Sequence, residues 1–368
     1  MQSIFQNMSI VAIVGRPNVG KSTLFNALTS AGIEAQNFPF CTIEPNLGIV
    51  PVPDERLELI SKIVNSKSII PATTEFIDIA GLVKGASLGE GLGNQFLSHI
   101  RETQAIIHVI RCFKNDNIAH VHEQIDPVAD LEVVETELLL ADLETVLKAK
   151  IKLERLSKSG DKDAEAQQSR LETLEEEMNR GILCRNSSFA LENDTYFKDL
   201  QLITMKPCLY LANVAEKDQN NDLLKKLVDY AGNEGDKVLP LCNQIEAEIA
   251  ELDKEDGKEI LKDLGIDEPG LNKLIRESFR MLNLQTFFTT DSRKVRAWTI
   301  RKGLTALQAA GEIHTDFEKG FIKAEIVSYE DFIKHNGENG AIAAGKLRTE
   351  GSDYKVKDGD IIHFVFNV

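Results

Sequence analysis

The chain has 368 residues, enough for two or three domains, and its 42% hydrophobic and 27% charged residues give a globular composition. A net charge of −16 and a pI near 5.0 exclude a non-specific DNA coat, while a local basic patch for RNA stays open. No run approaches the ~20 consecutive apolar residues that span a bilayer. Met1–Met8 lacks the basic stretch and apolar core of a signal peptide, and Met8 is a second possible start. Cys41, Cys112, Cys184, Cys208 and Cys242 are scattered with no C-x-x-C pair. Reduced thiols in a cytoplasmic protein without membrane contact are therefore expected.

In chain order, Ser9–Val14 is a β-branched run of the kind buried on both faces of a parallel sheet. A glycine-bearing turn follows, and Ser22–Leu28 has helical spacing. Further strand-like runs lie at Glu75–Ile79, Ala105–Ile110, Cys208–Ala212 and Lys237–Leu241. Strands separated by helical segments predict an α/β fold with a doubly wound, mostly parallel sheet.

That rhythm breaks between about 130 and 200. Leu131, Val134 and Leu138, then Leu139, Leu143 and Val146, then Leu171, Leu174 and Met178 recur at helical spacing around the polar segment 157–163. Two long antiparallel helices are predicted, a coiled-coil-like hairpin inserted into the α/β domain. From about Gln285 strands return at Val295–Ile300, Phe321–Val327 and Ile361–Phe366, with a helix starting near Thr305, as in a small α+β domain. The expected boundaries are 8–129 for the first part of the α/β domain, 130–200 for the hairpin, 201–282 for the second part and 283–366 for the C-terminal domain.

Gly15-Arg-Pro-Asn-Val-Gly20-Lys21-Ser22 satisfies the full G-x-x-x-x-G-K-[ST] pattern between a predicted strand and a predicted helix. Glycines let backbone N–H groups converge on phosphate oxygens, and the helix N-terminus adds partial positive charge. Lys21 then reaches the β- and γ-phosphates and the Ser22 hydroxyl serves Mg²⁺. This is a P-loop.

Asp78-Ile-Ala-Gly81 ends the next strong strand. An Asp there holds Mg²⁺ directly or through water, and the Gly81 N–H meets the γ-phosphate. Thr42, in the loop between the two motifs, is a switch candidate that closes on Mg²⁺ and the γ-phosphate. Asn213-Val214-Ala-Glu216 stands where guanine-specific P-loop proteins place N-K-x-D. Glu216 is one methylene too long to take the two guanine donors in the same way. The Asn213 amide still carries both a donor and an acceptor for adenine. These departures favour ATP as substrate, with GTP weaker. Leu82 follows Gly81 where many GTPases carry the glutamine that orients water, so turnover by the isolated chain is expected to be slow.

These motifs together resemble the YchF/Obg-like ATPase family. The resemblance rests on the P-loop, Phe38–Asn46, Asp78–Ala86, Gly89–Phe96, Asn213–Glu216 and the C-terminal segment Ala309–Ile322. It implies a P-loop NTPase G domain with the inserted helical hairpin and a C-terminal β-grasp (TGS) domain. It further implies a Mg²⁺-dependent, ATP-hydrolysing switch that associates with the ribosome through the large subunit or its RNA. Carried over position by position, Asn18, Val19, Gly20, Lys21, Ser22 and Thr23 bind phosphate. Ser22 and Thr42 hold Mg²⁺, and Asn213 contacts adenine. His120 replaces the missing glutamine, its near-neutral pKa suiting a water-positioning group. Arg16 departs from the family's small or aliphatic residue, and contact with phosphate and exposure to solvent both stand as readings.

Cys242-Asn243-Gln244 stands where GTPases have Ser-Ala-Lys, which weakens guanine recognition further. Arg293, Lys294, Arg296, Arg301 and Lys302, with Trp298 among them, form a basic segment readable as an RNA contact or as a solvated face. Nothing in the sequence requires a dimer, and a monomer is expected. Two alternatives remain: a GTPase with a degenerate base motif, and a nucleotide-regulated ribosome- or RNA-binding scaffold that does not need hydrolysis.

Overall fold

A computed structural model describes residues 9–31, 46–79, 92–115, 125–157, 161–190, 195–216, 221–291 and 293–367. The chain divides into two packed units, residues 1–48 with 75–270 and residues 49–74 with 271–368. The chain leaves the first unit within β2 (Leu47–Pro51) and returns within β4 (Thr73–Asp78). Residues 49–74, which the sequence reading keeps in the first part of the α/β domain, thus pack with the C-terminal part of the chain.

The first unit is built on a six-stranded sheet of order β2-β4-β1-β5-β6-β7. Its remaining strands are β1 (Ile10–Val14), β5 (Ala105–Arg111), β6 (Cys208–Asn213) and β7 (Val238–Leu241). β1 pairs in parallel with β4 and β5, β5 with β6, and β6 with β7. Every residue of β5 is buried, and β1 and β6 each have one partly exposed residue. Near-continuous apolar strands are what a sheet covered on both faces requires. The helices of this unit are α1 (Lys21–Ala31), α3 (Leu92–Glu102), α4 (Pro127–Ser157), α5 (Lys162–Asn179), α6 (Thr195–Asp199), α7 (Asp222–Glu234), α8 (Asn243–Ala250) and α9 (Lys254–Asp263). All the described strand ends that carry sequence motifs lie at the carboxyl edge of this sheet, where doubly wound folds bind ligands.

Helices α4 and α5 are the predicted hairpin. Near its start α4 buries Val134, Leu138 and Ala141 against Ala12 and Ile106 of the sheet and against Ile203. Farther along, Leu139, Val146 and Leu153 turn to Leu171, Leu174 and Met178 of α5. The change of partner explains why one 31-residue helix carries an apolar stripe along its whole length. Asp161 caps α5, its side chain accepting from the N–H groups of Asp163 and Ala164. The second long helix stops at Asn179. Between it and β6 lie two 3₁₀ turns, Cys184–Asn186 and Ile203–Met205, and α6.

The second unit carries the sheet β11-β10-β12-β8-β9-β3. Its strands are β3 (Ser68–Ile70), β8 (Leu284–Thr290), β9 (Lys294–Arg301), β10 (Phe321–Val327), β11 (Arg348–Glu350) and β12 (Ile361–Phe366). β8 and β9 are antiparallel, β12 is parallel to β8, and β10 is antiparallel to β12 and β11. Setting β3 aside, these strands stand in the order second, first, fifth, third, fourth, which is the β-grasp. The helix α11 (Ala306–Ile313) grips it, packing Ala306, Ala309 and Ala310 on Phe287, Ile300, Ala324 and Phe364. A capping box between Thr305 and Gln308 starts that helix where the sequence predicts one.

The helices α2 (Arg56–Val64), α10 (Gly270–Met281), α12 (Thr315–Lys319), α13 (Tyr329–Lys334) and α14 (Glu338–Ala343) complete the described elements. Arg56 explains why 49–74 belongs here. Its guanidinium donates to Asp54 at 2.8 Å, Asp358 at 2.9 Å and Thr286 at 3.0 Å, and lies 5.1 Å from the centre of the Phe288 ring. Burial works against its charge, but the hydrogen bonds to both aspartates push its pKa up.

Candidate nucleotide site

The loop Gly15–Gly20 joins β1 to α1, as its motif demands. Two of its residues admit only glycine. Gly15 has φ +154°, and a Cβ there would lie 2.4 Å from the Val109 carbonyl oxygen. Gly20 has φ +101°, and a Cβ there would lie 2.4 Å from Asn213 Nδ2 and 3.1 Å from Asn243 Nδ2. Asn18 takes the left-handed conformation, φ 61°, at the exposed tip. Ser22 and Thr23 are exposed on the first turn of α1, with Lys21 buried beside them.

Lys21 Nζ donates to the Arg16 carbonyl at 2.8 Å. Burial lowers its pKa to about 8, with Asp78 pulling the other way. Ser22 Oγ donates to Asp78 Oδ2 at 3.0 Å, so the loop and the end of β4 meet as the two motifs require. Burial pushes the Asp78 carboxyl up, against the Ser22 hydrogen bond and the Lys21 charge. Asp78 Oδ1 is buried without a hydrogen-bond partner among the described residues.

The carboxyl ends of β6 and β7 close the site from the other side. Asn213 is 6% exposed; its Nδ2 donates to the Val19 carbonyl at 2.9 Å and its Oδ1 accepts from the Asn243 N–H at 3.2 Å. One N–H of this amide is thus spent on the loop and one lone pair on the start of α8, and one of each remains. Val214, at the position of the lysine in N-K-x-D, turns its side chain into the core beside Ile110, Leu131 and Leu227. Glu216 is exposed. A cleft of about 520 Å³ runs between these elements. It is lined by Asn18, Gly20–Thr23, Phe113–Asn115, Asn213–Glu216 and Cys242–Gln244.

Sequence reading missed Phe113, Lys114 and Asn115, which follow β5 and carry no motif. Arg111 shapes that segment, its buried guanidinium donating to the Phe113 carbonyl at 3.2 Å and the Asn115 carbonyl at 3.0 Å. The residue type alone gives no hint of this, because the bonds end on main-chain oxygens. Asn243 had a signal, standing just past a strand end, but only the missing guanine motif was read from it.

Arg16 does not face solvent, which removes one of its two readings. It is 3% exposed, and its Nε lies 3.9 Å from a carboxylate oxygen of Asp130 on α4. The side chain ties the loop to the root of the hairpin. Thr42, Gly81, Leu82 and His120 lie outside the described residues. Cys112, Cys184, Cys208 and Cys242 are free thiols. No helix among the described residues is long and apolar enough to cross a membrane. In the basic segment, Arg293, Lys294, Arg301 and Lys302 are exposed, while Arg296 stacks 3.7 Å from the centre of the Trp298 ring. Trp298 also lies parallel to Phe287 and donates to Thr289.

A glycine-lined loop at the carboxyl edge of a parallel sheet, with an aspartate from the neighbouring strand on its serine, defines a P-loop G domain. Residues 10–142 match a family profile described as 50S ribosome-binding GTPase, and residues 284–367 match YchF-GTPase_C, described as a protein of unknown function. The chain is 55% identical over 357 residues to the ribosome-binding ATPase YchF of Escherichia coli O157:H7, covering 97% of this chain and 98% of the relative. Against the protein of the same name from Bacillus subtilis (strain 168) it is 51% identical over 360 residues, with the same coverage. The solved structure of the Schizosaccharomyces pombe YchF GTPase superposes with a TM-score of 0.88 at 38% identity, covering 98% of both chains. The chain belongs to the YchF family.

Proposed function

We propose that this chain is a Mg²⁺-dependent ATPase switch that associates with the ribosome. The observation that carries the reading is the cleft itself, with phosphate-binding geometry at Gly15–Ser22 and an N-x-x-E base edge at Asn213–Glu216. The names of its relatives, ribosome-binding ATPase, support both the nucleotide and the partner. The 50S description of the matched profile supports the large subunit.

The residues at the end of β4 suit a hard cation. Asp78 Oδ1 is buried without a partner among the described residues, and its other oxygen sits on Ser22 Oγ. Ser22 and Asp78, joined by Thr42, would hold Mg²⁺, which supplies neutralisation of phosphate charge when bound. The N–H groups of Asn18 to Thr23 receive phosphate oxygens, and Lys21 places its charge on the β- and γ-phosphates. Asn213 offers its remaining N–H and lone pair to the adenine edge, with Val214 and Glu216 beside it. Gly81 and Thr42 follow the γ-phosphate as switch residues. His120 orients the attacking water in place of the glutamine that Leu82 displaces.

A second reading has its own support. The printed descriptions of the profile and of the fission-yeast structure say GTPase. Competition of ATP and GTP for the purified chain by calorimetry separates the two. Tighter ATP binding is expected, and a clear preference for GTP would refute the adenine reading.

A further inference from the structure

We propose that Asn243 is a positioning residue for the bound nucleotide, acting through the carbonyl of Gly20. The inference rests on the reading of the cleft as a nucleotide site and names a residue that neither P-loop nor N-x-x-E motif includes.

Asn243 is the first residue of α8 and is 1% exposed. Its side chain makes one hydrogen bond among the described residues, from Nδ2 to the Gly20 carbonyl oxygen at 3.0 Å. The amide cannot be turned over, because that would set Oδ1 against the same carbonyl. Its Oδ1 is then buried with no donor among the described residues. A buried carbonyl without a partner costs stability. An alanine at this position would remove both the bond and that cost. The side chain is therefore poorly explained as a stabiliser of the fold.

Its placement explains it better. Gly20 precedes the P-loop lysine, and its carbonyl also accepts from the Leu24 N–H at 3.0 Å, the first bond of α1. The Asn243 amide fixes the plane of the Gly20–Lys21 peptide from the far side, and so the direction of the Lys21 N–H. Through its own N–H it also holds Asn213 Oδ1, while Asn213 Nδ2 holds the Val19 carbonyl. Two consecutive carbonyls of the phosphate loop are thus gripped by two asparagines that touch each other. One of that pair belongs to the base edge. Asn243 makes base edge and phosphate loop one rigid piece, so its loss weakens nucleotide binding.

The test is calorimetric titration of the full chain with MgATP and MgADP, beside thermal unfolding without nucleotide. Asn243→Ala is expected to bind ATP and ADP each about tenfold more weakly, the size of one lost buried hydrogen bond. Its unfolding temperature without nucleotide is expected to be unchanged or higher. In steady-state hydrolysis the loss appears in KM far more than in kcat. Asn243→Asp keeps the volume but cannot donate to Gly20, and should bind at least as weakly as the alanine variant. An alanine variant with wild-type affinity overturns the proposal. So does a fall in unfolding temperature that accounts for the affinity loss in both variants. Wild-type protein that binds neither ATP nor GTP would instead refute the reading of the cleft, before any variant is compared.

Discussion

Two carboxylates of the first unit, one enclosed and one half-buried, differ in how fully their oxygens are used. Asp142, on α4 at the root of the hairpin, is fully enclosed. It accepts from the Ile203 N–H at 2.8 Å, the Thr204 N–H at 2.7 Å and the Thr204 hydroxyl at 2.8 Å, and Arg101 of α3 lies 3.6 Å away. Both its oxygens are engaged from inside the protein. Asp78, at the end of β4, has one oxygen on Ser22 and the other on nothing described. Burial raises the pKa of both groups, so that shift does not tell them apart. Satisfaction does. A carboxylate whose acceptors are all filled holds structure together, whereas one oxygen of Asp78 carries no such duty among the described residues.

The largest test of that contrast is Asp142→Ala. Three donors and Arg101 lose their partner at once, and a loss of about 3 kcal/mol in stability is expected by chemical denaturation. A stability close to wild type would show that the hairpin root does not depend on this group.

Asp78→Asn should behave in the opposite way. The unfolding midpoint stays near that of the wild type, since only a single bond from Ser22 is touched. The Mg²⁺-dependent part of ATP affinity falls by about 2 kcal/mol, roughly thirtyfold, the scale of a lost charged contact. Titrating ATP with and without Mg²⁺ reads this directly. An asparagine variant that melts early but binds normally would place Asp78 among the supports.

The smallest effect concerns Lys21. Without nucleotide its amine sits at about 8, below the ordinary 10.5, because burial penalises the charge. Phosphates beside it favour the charged form, so the bound state has the higher pKa. Binding therefore takes up a proton once the pH exceeds about 8, and affinity is complete below that value. Above it, ATP affinity should fall by about tenfold per pH unit until the pKa of the complex is reached. Lys21→Arg, which stays charged throughout, should lose that slope. A wild-type affinity flat from pH 7 to 9.5 would show that the amine is not drawn to the phosphates.

Much of this was readable along the chain. Glycines at 15 and 20 are forced by φ values and close approaches that the motif encodes locally. The apolar runs of β1, β5 and β6 announce a sheet buried on both faces. The leucine spacing of α4 and α5 announces two packed helices. The end of α5 was not legible, because Arg180–Asp199 keeps enough polar and apolar residues to continue a helical pattern. What stops it is the return to the sheet at Arg185, whose guanidinium donates to Glu135 and Tyr210, each at 2.7 Å, and to Asp236 at 3.1 Å. Those partners lie 25 to 51 residues away, and no local pattern carries them.

The sequence by itself determined that a P-loop exists, where it lies, and that Asn213–Glu216 departs from the guanine pattern. These follow from residue type and short spacing, because backbone conformation and hydrogen-bond inventory are local properties. Only the tertiary structure decided that Arg16 turns inward to α4, that residues 49–74 pack with the C-terminal unit through Arg56, and that Asn213 and Asn243 grip the loop together. Each of these depends on a partner distant along the chain, and a bond between distant residues has no address in the sequence until the fold closes around it.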